Sequence, residues 1–78
     1  MAPEIATIVD WIRSRHPDLA AVDPEVDLIE NRIIDSLAFA EFIILVERLA
    51  GRAVDVDAMD VDDFRTLARL DRAFFARG

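Results

Sequence analysis

Cysteine and lysine are both absent from this chain of 78 residues. Without cysteine the chain can form neither disulfides nor thiolate metal sites, so any thiol chemistry must arrive on an attached group. Glycine is also scarce, with two residues, whereas apolar residues make up 54% of the chain. This composition favours helices over turns and strands. We expect a single small domain spanning residues 1–78.

Positive charge is in short supply as well, and the formal net charge is −7. An acidic chain is a poor ligand for a nucleic-acid backbone, and it attracts basic protein surfaces instead. No apolar run approaches the ~20 residues that cross a bilayer, so we expect no membrane association. The first residues, Met1-Ala2-Pro3-Glu4, lack a charged and then apolar leader. We therefore expect a cytoplasmic protein.

The first helix is predicted over Pro3–Arg15, because apolar residues recur there at i, i+3, i+4 and i+7, namely Ile5, Ile8, Val9 and Ile12. Proline suits the first helical turn, and Pro17 ends the helix by restricting His16. We expect Trp11 to be partly buried beside the apolar stripe. His16 is the only histidine, and its place beside a helix end predicts an interaction with the terminal carbonyls.

Residues 17–34 show no helical period and carry turn signals at Asp18, Asp23-Pro24 and Asn31. Apolar residues are nevertheless spread through the segment, at Leu19, Val22, Val26, Leu28, Ile29, Ile33 and Ile34. This pattern predicts an ordered loop pinned by apolar anchors. Loops of this length are uncommon in small domains and are often functional.

The second helix is predicted over Ser36–Ala50, with Gly51 as its C-terminal stop. Its core face carries Phe39, Phe42, Ile43, Val46 and Leu49. The opposite face mixes apolar and charged residues, with Leu37, Glu41, Ile44 and Arg48 at its centre and Ala40 and Glu47 at its flanks. Scattered surface hydrophobics are normal, but Leu37 and Ile44 lie two turns apart on one line. We interpret this outer face as a docking surface.

The C-terminal part begins with an acidic stretch, residues 53–63, in which we predict a short helix at residues 57–60. The last helix is predicted to start near Thr66, a good N-cap, with an apolar stripe of Leu67, Leu70 and Phe74. The expected fold is therefore all-α. It is a small four-helix bundle of three main helices and one short helix, with a long first loop.

Asp35-Ser36-Leu37 stands where the second helix begins. Helix N-termini offer unpaired N–H groups and a partial positive charge, so a phosphate ester on Ser36 would be favourably placed. Asp35 can supply the cap, which frees the serine hydroxyl. The alternative interpretation is that Asp35 and Ser36 are capping residues and nothing more.

The whole pattern resembles acyl carrier proteins nearly from end to end. The resemblance covers the helix ending near Arg15, the long loop, Asp35-Ser36-Leu37, the amphipathic second helix, Gly51 with Val54 after it, and the final helix. It implies that Ser36 carries phosphopantetheine derived from coenzyme A, with Asp35 beside the attachment point. It also implies that the second helix recognises partner enzymes through Leu37, Ala40, Glu41, Ile44, Glu47 and Arg48.

Two departures from carriers of fatty-acid synthesis bear on the pathway. Arg32-Ile33-Ile34 stands where those carriers commonly have a glycine, and Arg48 interrupts the acidic face of the second helix. The motif resembles stand-alone carriers of polyketide or nonribosomal peptide pathways. We therefore expect thioester-bound acyl or aminoacyl cargo in secondary metabolism. A housekeeping fatty-acid carrier and an unmodified acidic helical adaptor remain the alternatives.

The resemblance also implies the partners of a monomeric carrier. They are a phosphopantetheinyl transferase, an acyl- or aminoacyl-loading ligase or acyltransferase, and downstream synthase enzymes. The chain itself is expected to hold no resident metal ion and to catalyse nothing, since its single histidine leaves little choice of base for Ser36. Phe39 and Phe42 are expected to fill the core, which predicts a short cargo that is not sequestered between the helices.

Overall fold

The computed structural model describes residues 1–55 and 57–75, and within them every regular element is helical. Helix α1 is Pro3–Arg15, helix α2 is Ser36–Ala50, and a 3-10 helix follows at Val61–Phe64. Helix α3, Leu67–Leu70, continues directly into a π-helical segment, Asp71–Phe75. No helix in this part of the chain has the length and apolar character needed to cross a bilayer.

Helix α1 has the bounds that its apolar period and its two prolines predict. Its buried side chains are Ile5, Ile8 and Ile12, which lie three and four residues apart on one face. The N–H of His16 donates to the carbonyl of Ile12 at 3.0 Å and closes the last turn. Trp11 is half-buried, as expected, and stacks on Phe42 with ring centroids 5.7 Å apart.

Helix α2 also has its predicted bounds, because both of its ends are fixed by local chemistry. Gly51 adopts the left-handed conformation, with φ 71°, and its N–H donates to the Glu47 carbonyl at 3.0 Å. Glycine reaches this conformation without the steric penalty of a Cβ. The buried face of the helix carries Ala38, Phe42, Ile43 and Val46. Phe39 and Leu49 are half-buried and pack against the same core.

The prediction of a short helix at residues 57–60 is wrong. The chain makes a turn at residues 57–58, and the 3-10 helix starts only at Val61. Aspartates cause the shift, since their side chains compete for backbone N–H groups and favour turns and caps. Asp55 accepts from the N–H of Asp57 at 3.1 Å, and Asp60 accepts from the N–H of Asp62 at 3.0 Å. The described residues form a small all-helical protein, and the predicted four-helix bundle is not confirmed.

The last helix begins where its cap predicts. Thr66 Oγ1 accepts from the N–H of Arg69 at 3.1 Å, and Leu67 and Leu70 are buried. The predicted stripe ends differently, because Phe75 is buried whereas Phe74 is half-buried. The i→i+5 bonds of the π-helical segment change the register of the 3.6-residue period on which the prediction relied.

The long loop is ordered, as predicted, and backbone hydrogen bonds join it to the C-terminal part. The N–H of Leu28 donates to the Arg65 carbonyl at 2.6 Å, and the N–H of Ala68 donates to the Pro24 carbonyl at 3.1 Å. Leu28 and Ile34 are buried in the core. Apolar burial and backbone pairing together hold the loop against the residues around the 3-10 helix.

Asp27 supports this junction through its carboxylate. It accepts from the N–H groups of Glu30 and Ile29 at 2.8 and 3.0 Å, and it pairs with the Arg65 guanidinium at 3.2 Å. The hydrogen bond from Glu30 is the main cause that lowers the pKa of Asp27; Ile29 and Arg65 act in the same direction, while partial desolvation opposes them. All three contacts favour the charged carboxylate.

This lowered pKa predicts a loss of stability in acid. The stability that the charged Asp27 adds to the fold is fully present above the unfolded-state pKa of about 3.9. It is lost as pH falls through the lower pKa that Asp27 has in the folded protein. In Asp27→Asn the neutral amide oxygen can still accept from the turn, so the melting temperature should fall less steeply below pH 4 than in the unmodified chain. Circular dichroism melts at several pH values measure this, and Asp10→Asn on α1 is the matched control. Equal slopes for Asp27→Asn and the unmodified chain would contradict the prediction.

Candidate functional site

Ser36 is the first residue of α2 and is exposed. The cap of the helix is Asp35, whose Oδ1 accepts from the N–H of Ala38 at 2.8 Å. Because the aspartate supplies the acceptor, the cap does not use the serine hydroxyl. Asp35 thus takes the capping role that its sequence position predicts, and the Ser36 side chain stands at the surface.

The start of α2 suits a phosphate ester. The first turn contains no acidic side chain, so its N–H groups and the positive end of the helix dipole face no carboxylate other than the cap. An ester oxygen on Ser36 would lie at this end of the helix. The residues present therefore fit a phosphopantetheine group attached at Ser36.

An apolar cleft of about 240 Å³ lies beside Ser36. Its walls come from three separate segments and are formed by Ile29, Ile34, Asp35, Ser36, Phe39 and Val61. Ile29 and Ile34 belong to the long loop, Phe39 to α2 and Val61 to the 3-10 helix. The sequence does not reveal this cleft, because nothing in it indicates that Val61 lies near residues 22 to 32 positions earlier.

The two phenylalanines of α2 differ in their burial. Phe42 is fully buried between Trp11 and Phe64, with ring centroids 5.7 and 6.0 Å away. Phe39 packs against Phe64 at 5.8 Å, yet it is only half-buried and lines the cleft. Phe42 thus fills the core as expected. Phe39 is expected to do the same, but part of its ring is exposed in the cleft.

His16 contacts the segment that leads into the site. Its ring Nε2 lies 2.6 Å from the carbonyl oxygen of Ile33, so this nitrogen carries the hydrogen and donates. The expectation that the ring would meet the carbonyls at the end of α1 is wrong; only its backbone N–H does so. The contact ties the end of α1 to the residues just before Asp35.

The outer face of α2 presents the apolar residues that the sequence predicts to be exposed. The Leu37 side chain is 86% exposed and Ile44 is 53% exposed. Ala40, Glu41 and Arg48 are also exposed. Leu37, Glu41, Ile44 and Arg48 follow one another at spacings of four, three and four residues, so they share one line on the helix. We call these four residues the outer strip.

Both acidic residues of this face have partners within the chain. Glu41 Oε2 pairs with Arg15 Nη1 of α1 at 2.8 Å. Glu47 is half-buried, and its Oε2 accepts from the N–H of Val54 at 2.7 Å. Both glutamates are predicted to bind partners, and the sequence does not reveal these contacts, because Arg15 is distant along the chain and Val54 contributes only its backbone.

The chain was compared with protein-family models, with curated proteins and with solved structures, and none of the three comparisons found a match. The resemblance to acyl carrier proteins therefore stays a prediction from the sequence.

Proposed function

We propose that this chain is a stand-alone carrier protein with a phosphopantetheine arm on Ser36. The main support for the proposal is that two neighbouring residues have different roles at the start of α2. Asp35 caps the helix, and Ser36 stands exposed beside it. A serine that served as the cap would use its hydroxyl for the backbone; here the hydroxyl can form an ester.

The arm supplies the thiol that the chain lacks, since the sequence contains no cysteine. Once bound, its terminal sulfur holds an acyl or aminoacyl group as a thioester. In a transferase-catalysed reaction with coenzyme A and Mg²⁺, the Ser36 oxygen would bond to the phosphorus that carries the pantetheine. The P–O bond of the pyrophosphate would break, adenosine 3′,5′-bisphosphate would leave, and the hydroxyl proton would pass to a base of the transferase. The chain contributes the nucleophilic hydroxyl, the helix end that favours the phosphate, and the surface that the transferase binds.

The small cleft and the filled core favour a short acyl or aminoacyl cargo. The cleft beside Ser36 has a volume of about 240 Å³. A longer chain would have to displace Phe42, which is fully buried, at a cost of ~1–3 kcal/mol if core side chains leave their rotamers. A short or polar cargo can stay on the arm outside the helices. The preference for secondary metabolism over fatty-acid synthesis rests on the sequence, in which Arg32-Ile33-Ile34 and Arg48 depart from the pattern of fatty-acid carriers.

Ser36→Ala should abolish modification and keep the fold, because Asp35 still caps α2. Intact mass after incubation with coenzyme A and a broad-specificity transferase measures the attached group. Ser14→Ala is the matched control, since Ser14 is the only other serine and its hydroxyl donates to the Trp11 carbonyl at 2.7 Å. Modification that persists in Ser36→Ala would show that the group is attached to a different residue. An unmodified wild-type chain would favour the adaptor.

Leu37→Ala and Ile44→Ala should slow modification by about tenfold, which corresponds to ~1.4 kcal/mol of lost contact. Their free energy of unfolding should change by less than ~0.5 kcal/mol, because both side chains are exposed. Ile43→Val is the control on the buried side of the same helix. It should cost about 0.5–1.5 kcal/mol of stability and leave modification unchanged. A large stability loss in Ile44→Ala with unaltered loading would identify the strip as core.

NMR spectra should show whether the cargo enters the core. Between the phosphopantetheine form and a medium-chain acyl form, we expect small shift changes at Phe39 and at most slight changes at Phe42 and Val46. Phe42 and Val46 are fully buried, and folded cores have few voids that a chain could occupy. Large changes at Phe42 and Val46 would mean that the acyl chain opens the core.

A further inference from the structure

We infer that the enzyme which modifies Ser36 docks on the outer strip through an apolar groove with a carboxylate opposite Arg48, and not through a basic surface; this inference rests on the proposed function. It concerns the chemistry of the partner. It follows from how the charges beside Leu37 and Ile44 are compensated within the chain.

Glu41, at the centre of the strip, forms an ion pair with an arginine of the neighbouring helix α1. Arg15 Nη1 lies 2.8 Å from Glu41 Oε2, and the Arg15 guanidinium carbon lies 5.2 Å from the centre of the Trp11 ring. Trp11 in turn stacks on the buried Phe42. The ring places Arg15 beside the strip through a cation–π contact, so Glu41 already has a cationic partner when an enzyme approaches.

A basic partner would gain little at this position. An exposed ion pair is a weak contact, so a lysine or arginine that replaced Arg15 on Glu41 would exchange one weak pair for another. A basic partner would also gain little from Glu47, because this residue is half-buried and its carboxylate accepts a hydrogen bond from the Val54 N–H. Neither glutamate therefore presents a full charge without a partner to an incoming surface.

The remaining charge on the strip is positive. Arg48 is exposed, and among residues 1–55 and 57–75 it forms no ion pair. With Glu41 compensated by Arg15, the strip consists of two exposed apolar side chains, a neutral pair and one cation. The strip together with Arg15 therefore carries one positive charge, although the chain as a whole has a net charge of −7. The carboxylate of Glu47 is half-buried at the flank of the strip. Complementarity then calls for an apolar groove and an anionic group on the partner.

Binding of the apo chain to a broad-specificity phosphopantetheinyl transferase, without coenzyme A, tests the inference. The chain is labelled with ¹⁵N, and the dissociation constant is read from the amide signals of Leu37 and Ile44. The indole N–H of Trp11, the only tryptophan, reports on the Arg15–Glu41 flank. Because no modification takes place, binding is measured separately from carrier function.

Charge variants with matched controls separate the two kinds of partner. Glu41→Gln should not weaken binding, because it frees the positive charge of Arg15 beside the strip. Asp10→Asn, which removes one negative charge from α1, should change the dissociation constant by less than about twofold. Arg48→Glu should weaken binding by about tenfold, or ~1.4 kcal/mol, whereas Arg69→Glu, the same change on α3, should have little effect. Ile44→Ala should weaken binding as much as Arg48→Glu.

The opposite pattern overturns the inference. A basic partner surface would make Glu41→Gln as damaging as Ile44→Ala and would make Arg48→Glu bind more tightly. A transferase that modifies Ser36 without shifting the Leu37 and Ile44 signals would also overturn it, and the carrier function would stand. Failure of the carrier function is a different result, namely the absence of any mass gain in the wild-type chain with coenzyme A.

Discussion

The hydrogen bond from the Ala38 N–H to Asp35 Oδ1 fixes the first turn of α2 and therefore the position of Ser36. Caps of this kind stabilise a helix by about 0.5–2 kcal/mol, which is a large amount for so small a domain. Since the aspartate satisfies the backbone, the serine hydroxyl remains exposed at the positive end of the helix. Leu37 follows in the same turn, so Ser36 and the outer strip keep a fixed spacing.

The surroundings of Ser36 depend on contacts between distant parts of the chain. Backbone pairing of Leu28 with Arg65 holds the long loop against the C-terminal part, and His16 holds the end of the loop through the Ile33 carbonyl. A loop of this length would otherwise be the most mobile part of such a protein. Held in this way, it contributes two walls of the apolar cleft, while the 3-10 helix contributes Val61.

Charge acts on two length scales in this protein. The net charge of −7 attracts basic surfaces over distances of about a Debye length, which is ~8–10 Å at physiological salt. At contact distance the outer strip is different, because Arg15 neutralises Glu41 and Arg48 adds a positive charge. Net charge alone therefore describes the electric field at a distance from the protein and not the charge of the outer strip.

The sequence by itself determined the elements that local chemistry specifies. The bounds of α1 and α2, the cap at Asp35, the left-handed Gly51 and the Thr66 cap all follow from neighbouring residues. Only the tertiary structure decided the features that join separate parts of the chain: the burial of Phe75, the cleft beside Ser36, and the partners of Glu41 and Glu47. Caps and helical periods act within one turn and can be read along the chain, whereas packing and ion pairs form between residues that meet only once the chain has folded.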